Sequence, residues 1–343
     1  MGTFLDFLKS NSVQPRADIA GIIRRGYLED PDLFHRLFVF LKSVPESCFH
    51  HCSWFRDALI ETGILIATAG VIRASIMIVP LKHRLIATDL PSDEQPSAIF
   101  PIYPETLYLI DQIPDHAMSI LDIGTGSGVL SIFASEKSPI VTPVDINDRA
   151  LLFTQFNAVL NGVGNKIFGQ KTNLLSSLAG NYYDCILANL PFEPVPPGYS
   201  YYLHSDGGTD GLKLISEFLS QINDEVIKFG QIRMVAFSLG NDKHMIIEDV
   251  LRKKLGNSHF GIEVEILAKP LKFTEFAKRF ESAPQYKPWL TSTLQNGLQS
   301  LFFIGVKIVP SRTFYWSVSR NSSRHWGAWE NPVNWNEYLQ LAP

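Results

Sequence analysis

Residues 119–132, Ser-Ile-Leu-Asp-Ile-Gly-Thr-Gly-Ser-Gly-Val-Leu-Ser-Ile, constrain this chain more than any other stretch. Ile120 to Ile123 reads as a buried strand. Gly124, Gly126 and Gly128 then allow a tight turn and close ligand approach, because no Cβ stands in the way. Ser127 and the residues after it read as the opening of a helix, whose first N–H groups point back at the turn. Strand, glycine turn and helix in that order suit a ligand with a negative group and a flat ring. A tight turn with no ligand is the plain alternative.

A dinucleotide site needs G-x-G-x-x-G or -A, and here Val129 stands at the third position. That disfavours a nicotinamide-dependent oxidoreductase. The observed spacing, D-x-G-x-G-x-G, resembles the first motif of class I S-adenosylmethionine-dependent methyltransferases. The resemblance implies that the loop lies along the amino-acid end of that cofactor, with Asp122, Gly124, Thr125, Gly126 and Gly128 as cofactor-binding residues. Pro139 to Val144 reads as a second apolar strand, and Asp145 follows 21 residues after Gly124. A carboxylate at the tip of that strand can accept both ribose hydroxyls. Ile146 is placed with it. Asp145 or Asn147 also suits a helix N-cap, which is compatible with that role. Asn173 falls where such folds contact the adenine edge, and an ordinary loop asparagine is its alternative.

Tyr183 to Ala188 is another apolar strand, running into Asn189-Leu190-Pro191-Phe192. A methyl on a sulfonium is already electrophilic, so an enzyme must mainly align the acceptor and strip water from it. A planar amide or aromatic amine is a poor acceptor, because its lone pair is delocalised. The Asn189 side-chain oxygen and the Leu190 carbonyl can each take one N–H and turn the lone pair toward the methyl. Phe192 can lie against the planar group and face the nearby cation. Asn189 is assigned to the cofactor side as well. A strand end followed by a proline turn is the plain reading of the same residues.

This motif resembles the N-P-P-[Y/F] sequence of methyltransferases acting on planar nitrogens. Tyr103-Pro104-Glu105-Thr106 is similar to the P-E-T segment of the glutamine N5-methyltransferases that modify release factors and ribosomal proteins. Asp206-Gly207-Gly208-Thr209-Asp210-Gly211-Leu212 resembles their D-G-G-x-D-G-L segment. The likeness covers about residues 70–270. Leu190 replaces the first proline, which loosens the loop because proline fixes φ, and Phe192 replaces tyrosine.

The resemblance implies an α/β fold, a doubly wound, mostly parallel seven-stranded methyltransferase sheet. A small helical N-terminal domain with a β-hairpin precedes it. The expected parts are a helical domain over 1–70, a hairpin and linker over 71–98, the methyltransferase domain over 99–310 and a Trp-rich tail over 311–343. Helical spacing runs through residues 2–68, with Asp32 and its acidic neighbours at a helix start. The hairpin is expected from Ile72–Val79 and 83–88, and residues 59–80 as a buried helix followed by a strand. Further helices are expected from Asp210 to about Phe229 and over Lys243–Leu255, with an insertion over 282–298.

Of 343 residues, 45% are hydrophobic and 19% charged, enough apolar material for a sizeable core. The net charge of −4 shows no basic stripe, so nucleic acid is disfavoured as a partner. Three cysteines and no signal-peptide pattern point to a cytoplasmic protein without a disulfide scaffold. Cys48-Phe49-His50-His51-Cys52 lacks the C-x2-C spacing, and no metal is expected. The readings are therefore an N-methyltransferase using S-adenosyl-L-methionine, with a protein glutamine amide favoured over a small metabolite or a nucleobase amine as acceptor, or a non-catalytic scaffold of the same fold. Trp316, Trp326, Trp329 and Trp335 suggest a tail that packs on its own domain, closes over substrate or joins two copies.

Overall fold

An aliphatic run without polar alternation suits a strand of a sheet that helices cover on both faces. The computed structural model describes residues 3–10, 13–99, 102–178, 180–222, 230–256 and 259–320. The chain opens with helices α1 (Phe4–Ser10), α2 (Val13–Glu29) and α3 (Pro31–Phe34), the last continued by a π-helical turn over His35–Val39. Asp30 caps α3, its carboxylate accepting from Leu33 N at 2.9 Å, and Asp32 lies in the first turn, as expected of acidic residues at a helix start. Strand β1 (Val44–Pro45), a 3-10 turn over Glu46–Phe49 and α4 (Ser53–Glu61) follow.

The N-terminal part is not purely helical. Strands β2 (Leu65–Thr68) and β3 (Val71–Ala74) join β1 in an antiparallel sheet of order β1–β3–β2. Residues 59–80 thus contain the end of α4, β2, β3 and most of β4 (Met77–Leu81). The hairpin pairs β4 with β5 (Arg84–Thr88), while Ile72 pairs with β2 across Ala67 instead. The Ser75 hydroxyl donates to Gly63 O and Ile64 O and separates the two pairings. Among the described residues no group of three or more His, Cys, Asp or Glu is placed to hold a metal, and His50 and His51 pack ring to ring instead.

The remaining elements alternate. They are α5 (Pro104–Asp111), β6 (Ser119–Ile123), α6 (Val129–Ala134), β7 (Ile140–Asp145), α7 (Asp148–Leu160), β8 (Gln170–Lys171), β9 (Cys185–Ala188), α8 (Lys213–Gln221), β10 (Gln231–Gly240), α9 (Ile246–Leu255), β11 (Phe260–Ile266), β12 (Leu271–Lys272), α10 (Phe273–Ala277), α11 (Tyr286–Gln295), β13 (Ser300–Pro310) and β14 (Tyr315–Arg320). The sheet runs β8–β7–β6–β9–β10–β13–β11–β14, with β12 paired to β13. β8 to β10 are parallel, and β13 is antiparallel to both its neighbours. The seven expected strands are all present, and β12 and β14 extend the sheet. Side chains of β6 alternate between the two cores, Ile120 on the α5–α6 side and Leu121 and Ile123 on the α8–α9 side.

Some boundaries differ from the expected ones. α6 begins at Val129 rather than Ser127, because Gly128 stands at its N-cap with a left-handed φ of 80°. α8 ends at Gln221, where Ile222 is extended; residues 223–229 lie outside the described residues. α9 starts at Ile246. The expected insertion contains α11, a helix whose Trp289 is buried. Trp316 lies in β14 with Arg252 5.4 Å from its ring centroid, whereas Trp326, Trp329, Trp335, Phe100 and Pro101 lie outside the described residues. The N-terminal elements pack on α7: Phe4 meets Phe153 and Phe156 edge-on at 5.8 and 5.0 Å, and Arg24 donates to Leu160 O at 2.7 Å.

Candidate functional site

From β6 the chain winds through β7 to β8 on one side, then crosses to β9 on the other. Ligands bind α/β sheets at such a reversal, outside the carboxyl ends of the strands. The register pairs Ile123 with both Val144 and Ala188, so the next residues, Gly124, Asp145 and Asn189, emerge at one level. A cavity of about 510 Å³ opens there, within the usual range for ligand sites.

One half is lined by Gly124, Thr125, Gly126, Asp145, Ile146 and Asn173. Gly124 has φ +68°, and a Cβ on it would come within 3.7 Å of Asn189 O. Asp145 shapes the turn, accepting from Gly126 N at 3.1 Å and from Asn147 N at 2.8 Å. Burial raises its pKa, and these backbone donors oppose the rise. Each oxygen keeps further lone-pair capacity for a ligand hydroxyl. Ile146 is 53% exposed, an apolar face beside that carboxylate. Asn173 is exposed, its amide 3.5 Å from Glu217. A nucleoside with a diol and a flat base fits this set, and a neighbouring glycine turn with room for a small charged end completes it.

Two expected cofactor contacts stand elsewhere. Asp122 is fully buried beneath the turn, outside the cavity lining. Its Oδ2 accepts from Thr125 Oγ1 at 2.7 Å and from Ser131 N and Oγ at 3.1 and 2.7 Å. Burial pushes its pKa up to about 6 against those donors. Asp122 is therefore an internal brace. Gly128 also lies outside the lining; a Cβ there would stand 2.8 Å from Thr154, so this glycine lets α6 approach α7.

The other half carries Asn189, Leu190, Pro191 and Phe192. Among the described residues the Asn189 amide takes no protein partner, and no backbone N–H engages the Leu190 carbonyl. The Leu190 side chain is buried in the α8–α9 core. Phe192 meets Phe237 edge-on at 4.7 Å. Its backbone is seated by the glycine segment 206–212. Glu193 N donates to Ser205 O at 2.9 Å, and Gly207 N donates back to Glu193 O at 3.0 Å. A Cβ on Gly211 would stand 2.5 Å from the Phe192 carbonyl oxygen. Asp210 accepts from Leu212 N at 2.9 Å just before α8.

Sequence reasoning passed over several wall residues. Glu105 is fully buried and lines the cavity; burial, with Glu193 adding to it, pushes its pKa up to about 8. Its place in Tyr-Pro-Glu-Thr was the only signal. Tyr103, Tyr201, Glu193 and Arg279 gather beside it, with Tyr103 pushed up to about 12 by burial and the two carboxylates. Arg279, from a 3-10 turn after α10, had no signal at all.

Two loops roof the cavity. Buried Asp89 accepts from Arg149 Nε at 2.8 Å and from Ile99 N at 2.7 Å, fixing loop 89–99 to α7. Asn147 caps α7 and donates to Ser97 O at 2.9 Å. Leu203 N donates to Pro96 O at 3.2 Å where this loop meets loop 199–206. His204 stacks on Tyr202 at 5.1 Å, and burial lowers its pKa to about 4.

Comparisons with known proteins agree with this geometry. A family model, the methyltransferase small domain, matches residues 104–263. A putative protein N5-glutamine methyltransferase of Methanocaldococcus jannaschii is 31% identical over 155 residues, 44% of this chain and 73% of that one. The ribosomal protein uL3 glutamine methyltransferase of Francisella tularensis is 28% identical over 158 residues, 43% of this chain and 44% of its own. The release factor glutamine methyltransferase of Fusobacterium nucleatum is 32% identical over 146 residues, 39% of this chain and 40% of its own. The chain thus spans less than half the length of these last two. S-adenosylmethionine is the cofactor that the matched domain implies, and the cavity's diol acceptor, apolar face and glycine turn fit it. The chain belongs to the class I S-adenosylmethionine-dependent methyltransferases, in the family of the protein N5-glutamine methyltransferases it resembles along most of the first of these relatives.

Proposed function

We propose that the chain methylates the side-chain amide nitrogen of a glutamine in a protein. The observation that carries this reading is the β6–β9 register, which sets Asn189 and the Leu190 carbonyl beside the glycine turn in one cavity. The names of the relatives above support the choice of acceptor.

S-adenosylmethionine, when bound, supplies an activated methyl on a sulfonium. The chain's residues do the rest. Asp145, Ile146 and Asn173 would hold the adenosine end, and Gly124, Thr125 and Gly126 the amino-acid end. Asn189 Oδ1 and the Leu190 carbonyl each accept one N–H of the acceptor amide. Held so, its nitrogen turns a lone pair out of conjugation and into the cleft. Phe192, wedged edge-on against Phe237, offers a flat wall to the amide plane. The roofing loops exclude water, which strengthens these polar contacts. The nitrogen's lone pair would take the methyl as the carbon–sulfur bond breaks. The surplus proton would leave afterwards, to water as the product is released, so no strong base is needed.

A small amide-bearing metabolite is the second reading, favoured by the Leu203–Pro96 contact that closes the cavity above. Incubation with methyl-labelled cofactor and a glutamine-containing peptide tests the first reading directly. Mass spectrometry is expected to find one added methyl on the glutamine side chain. Label found only in small molecules would sink it in favour of the second.

A further inference from the structure

The residue after the Asn-Leu-Pro-Phe motif is Glu193, whose side chain is 17% exposed in the cavity wall. Its Oε2 accepts from the Tyr201 hydroxyl at 3.0 Å and from Arg279 Nη1 at 3.3 Å. Arg279 comes from the far end of the chain and lies 4.4 Å from the Phe276 ring centroid, 38% exposed. The segment that carries it is fixed in place. Trp289 of α11 donates from Nε1 to Thr209 O at 2.9 Å, within the glycine segment that seats Phe192. The reacting loop and the C-terminal segment are thus locked together, and a charged pair bridges them in the acceptor half.

We propose that the Glu193–Arg279 pair selects the acceptor by reading an uncharged amide next to the reacting one. Arg279 donates to its carbonyl oxygen and Glu193 accepts from its N–H. This rests on the amide-methylating reading above. The argument is electrostatic. A close ion pair in a partly dry wall presents a dipole, not a net charge. A charged neighbour on the acceptor is attracted by one partner and repelled by the other, and gives up its hydration. An amide gives up less water and satisfies both ends together, with one acceptor and one donor. A peptide bond beside a glutamine is such a group; a phosphate or an ammonium is not.

The test uses three glutamine peptides that differ only in the neighbouring residue, glycine, aspartate or lysine. Each is offered with labelled cofactor to the wild type, Glu193→Gln and Arg279→Gln. The wild type is expected to favour the glycine peptide about tenfold in kcat/KM, the scale of one mismatched polar contact. Glu193→Gln leaves the guanidinium uncompensated and moves the preference to the aspartate peptide. Arg279→Gln leaves the carboxylate uncompensated and moves it to the lysine peptide. Calorimetric affinity for the cofactor within about twofold of wild type establishes that each variant is folded, since one pair outside the cofactor half contributes little there. A reversal in either folded variant supports the proposal. The same peptide order in all three proteins overturns it. A wild type that methylates none of the peptides instead removes the glutamine reading, and this inference falls with it.

Discussion

Asn157 of α7 and Ala87 of β5 pair as two strand residues would. Ala87 N donates to Asn157 Oδ1 at 2.8 Å, and Asn157 Nδ2 donates to Ala87 O at 2.9 Å. The second amide hydrogen goes to Ser127 O at 2.8 Å, in the glycine turn. One buried side chain therefore ties hairpin, helix and turn. Asn157→Ala strands three buried backbone groups and is expected to cost about 3 kcal/mol. Urea unfolding measures it; a change below about 1 kcal/mol would contradict the accounting.

Gly211 has φ +81° and faces the Phe192 carbonyl. Gly211→Ala combines a left-handed alanine with a backbone clash, a destabilisation of about 3 kcal/mol. Its larger effect falls on the motif it seats. Turnover should drop about a hundredfold while cofactor affinity stays within about threefold, as expected when only acceptor alignment is lost. Equal losses in both would show that the segment serves the cofactor instead.

Asn189→Ala removes one of the two acceptors for the amide hydrogens. Turnover is expected to fall about a hundredfold to a thousandfold, with little change in the calorimetric affinity for the demethylated cofactor. Asn189→Asp restores an acceptor oxygen but adds charge beside it, and should recover only part of the rate. Wild-type turnover in the alanine variant would remove Asn189 from the chemistry.

The raised pKa of Glu105 makes a stability prediction. Burial lifts it from 4.5 to about 8, so between those values the folded chain holds a proton that the unfolded chain releases. Its stabilising share is complete below pH 4.5 and is lost as pH rises through 8. Glu105→Gln has no such proton. The melting temperature of the wild type minus that of the variant should decline steadily over this interval. A flat difference would place the carboxyl in contact with water or a cation.

The parallel strands and the glycine turn between β6 and α6 were legible because they rest on local patterns. Ile120–Ile123, Tyr183–Ala188 and the glycines between them announce buried strands and a turn whatever surrounds them. Asp122 and Gly128 misled because a motif marks positions, not directions: one carboxylate points inward to Ser131, and one glycine faces α7. The β2–β3 pairing was hidden because the two strands are only four residues each, Leu65–Thr68 and Val71–Ala74, too short for alternation to separate strand from helix. Arg279 was invisible for another reason. Its partner Glu193 lies 86 residues away, and only tertiary packing brings them together.

The internal brace at Asp122 has a consequence for how a guest arrives. With Thr125 and Ser131 stapled to one carboxylate, and Gly126 to Asp145, the bend holds its shape from within. Little ordering is left to the moment of encounter. Differences in tightness among cofactor analogues should then appear in how long each stays, while all are captured at about the same speed.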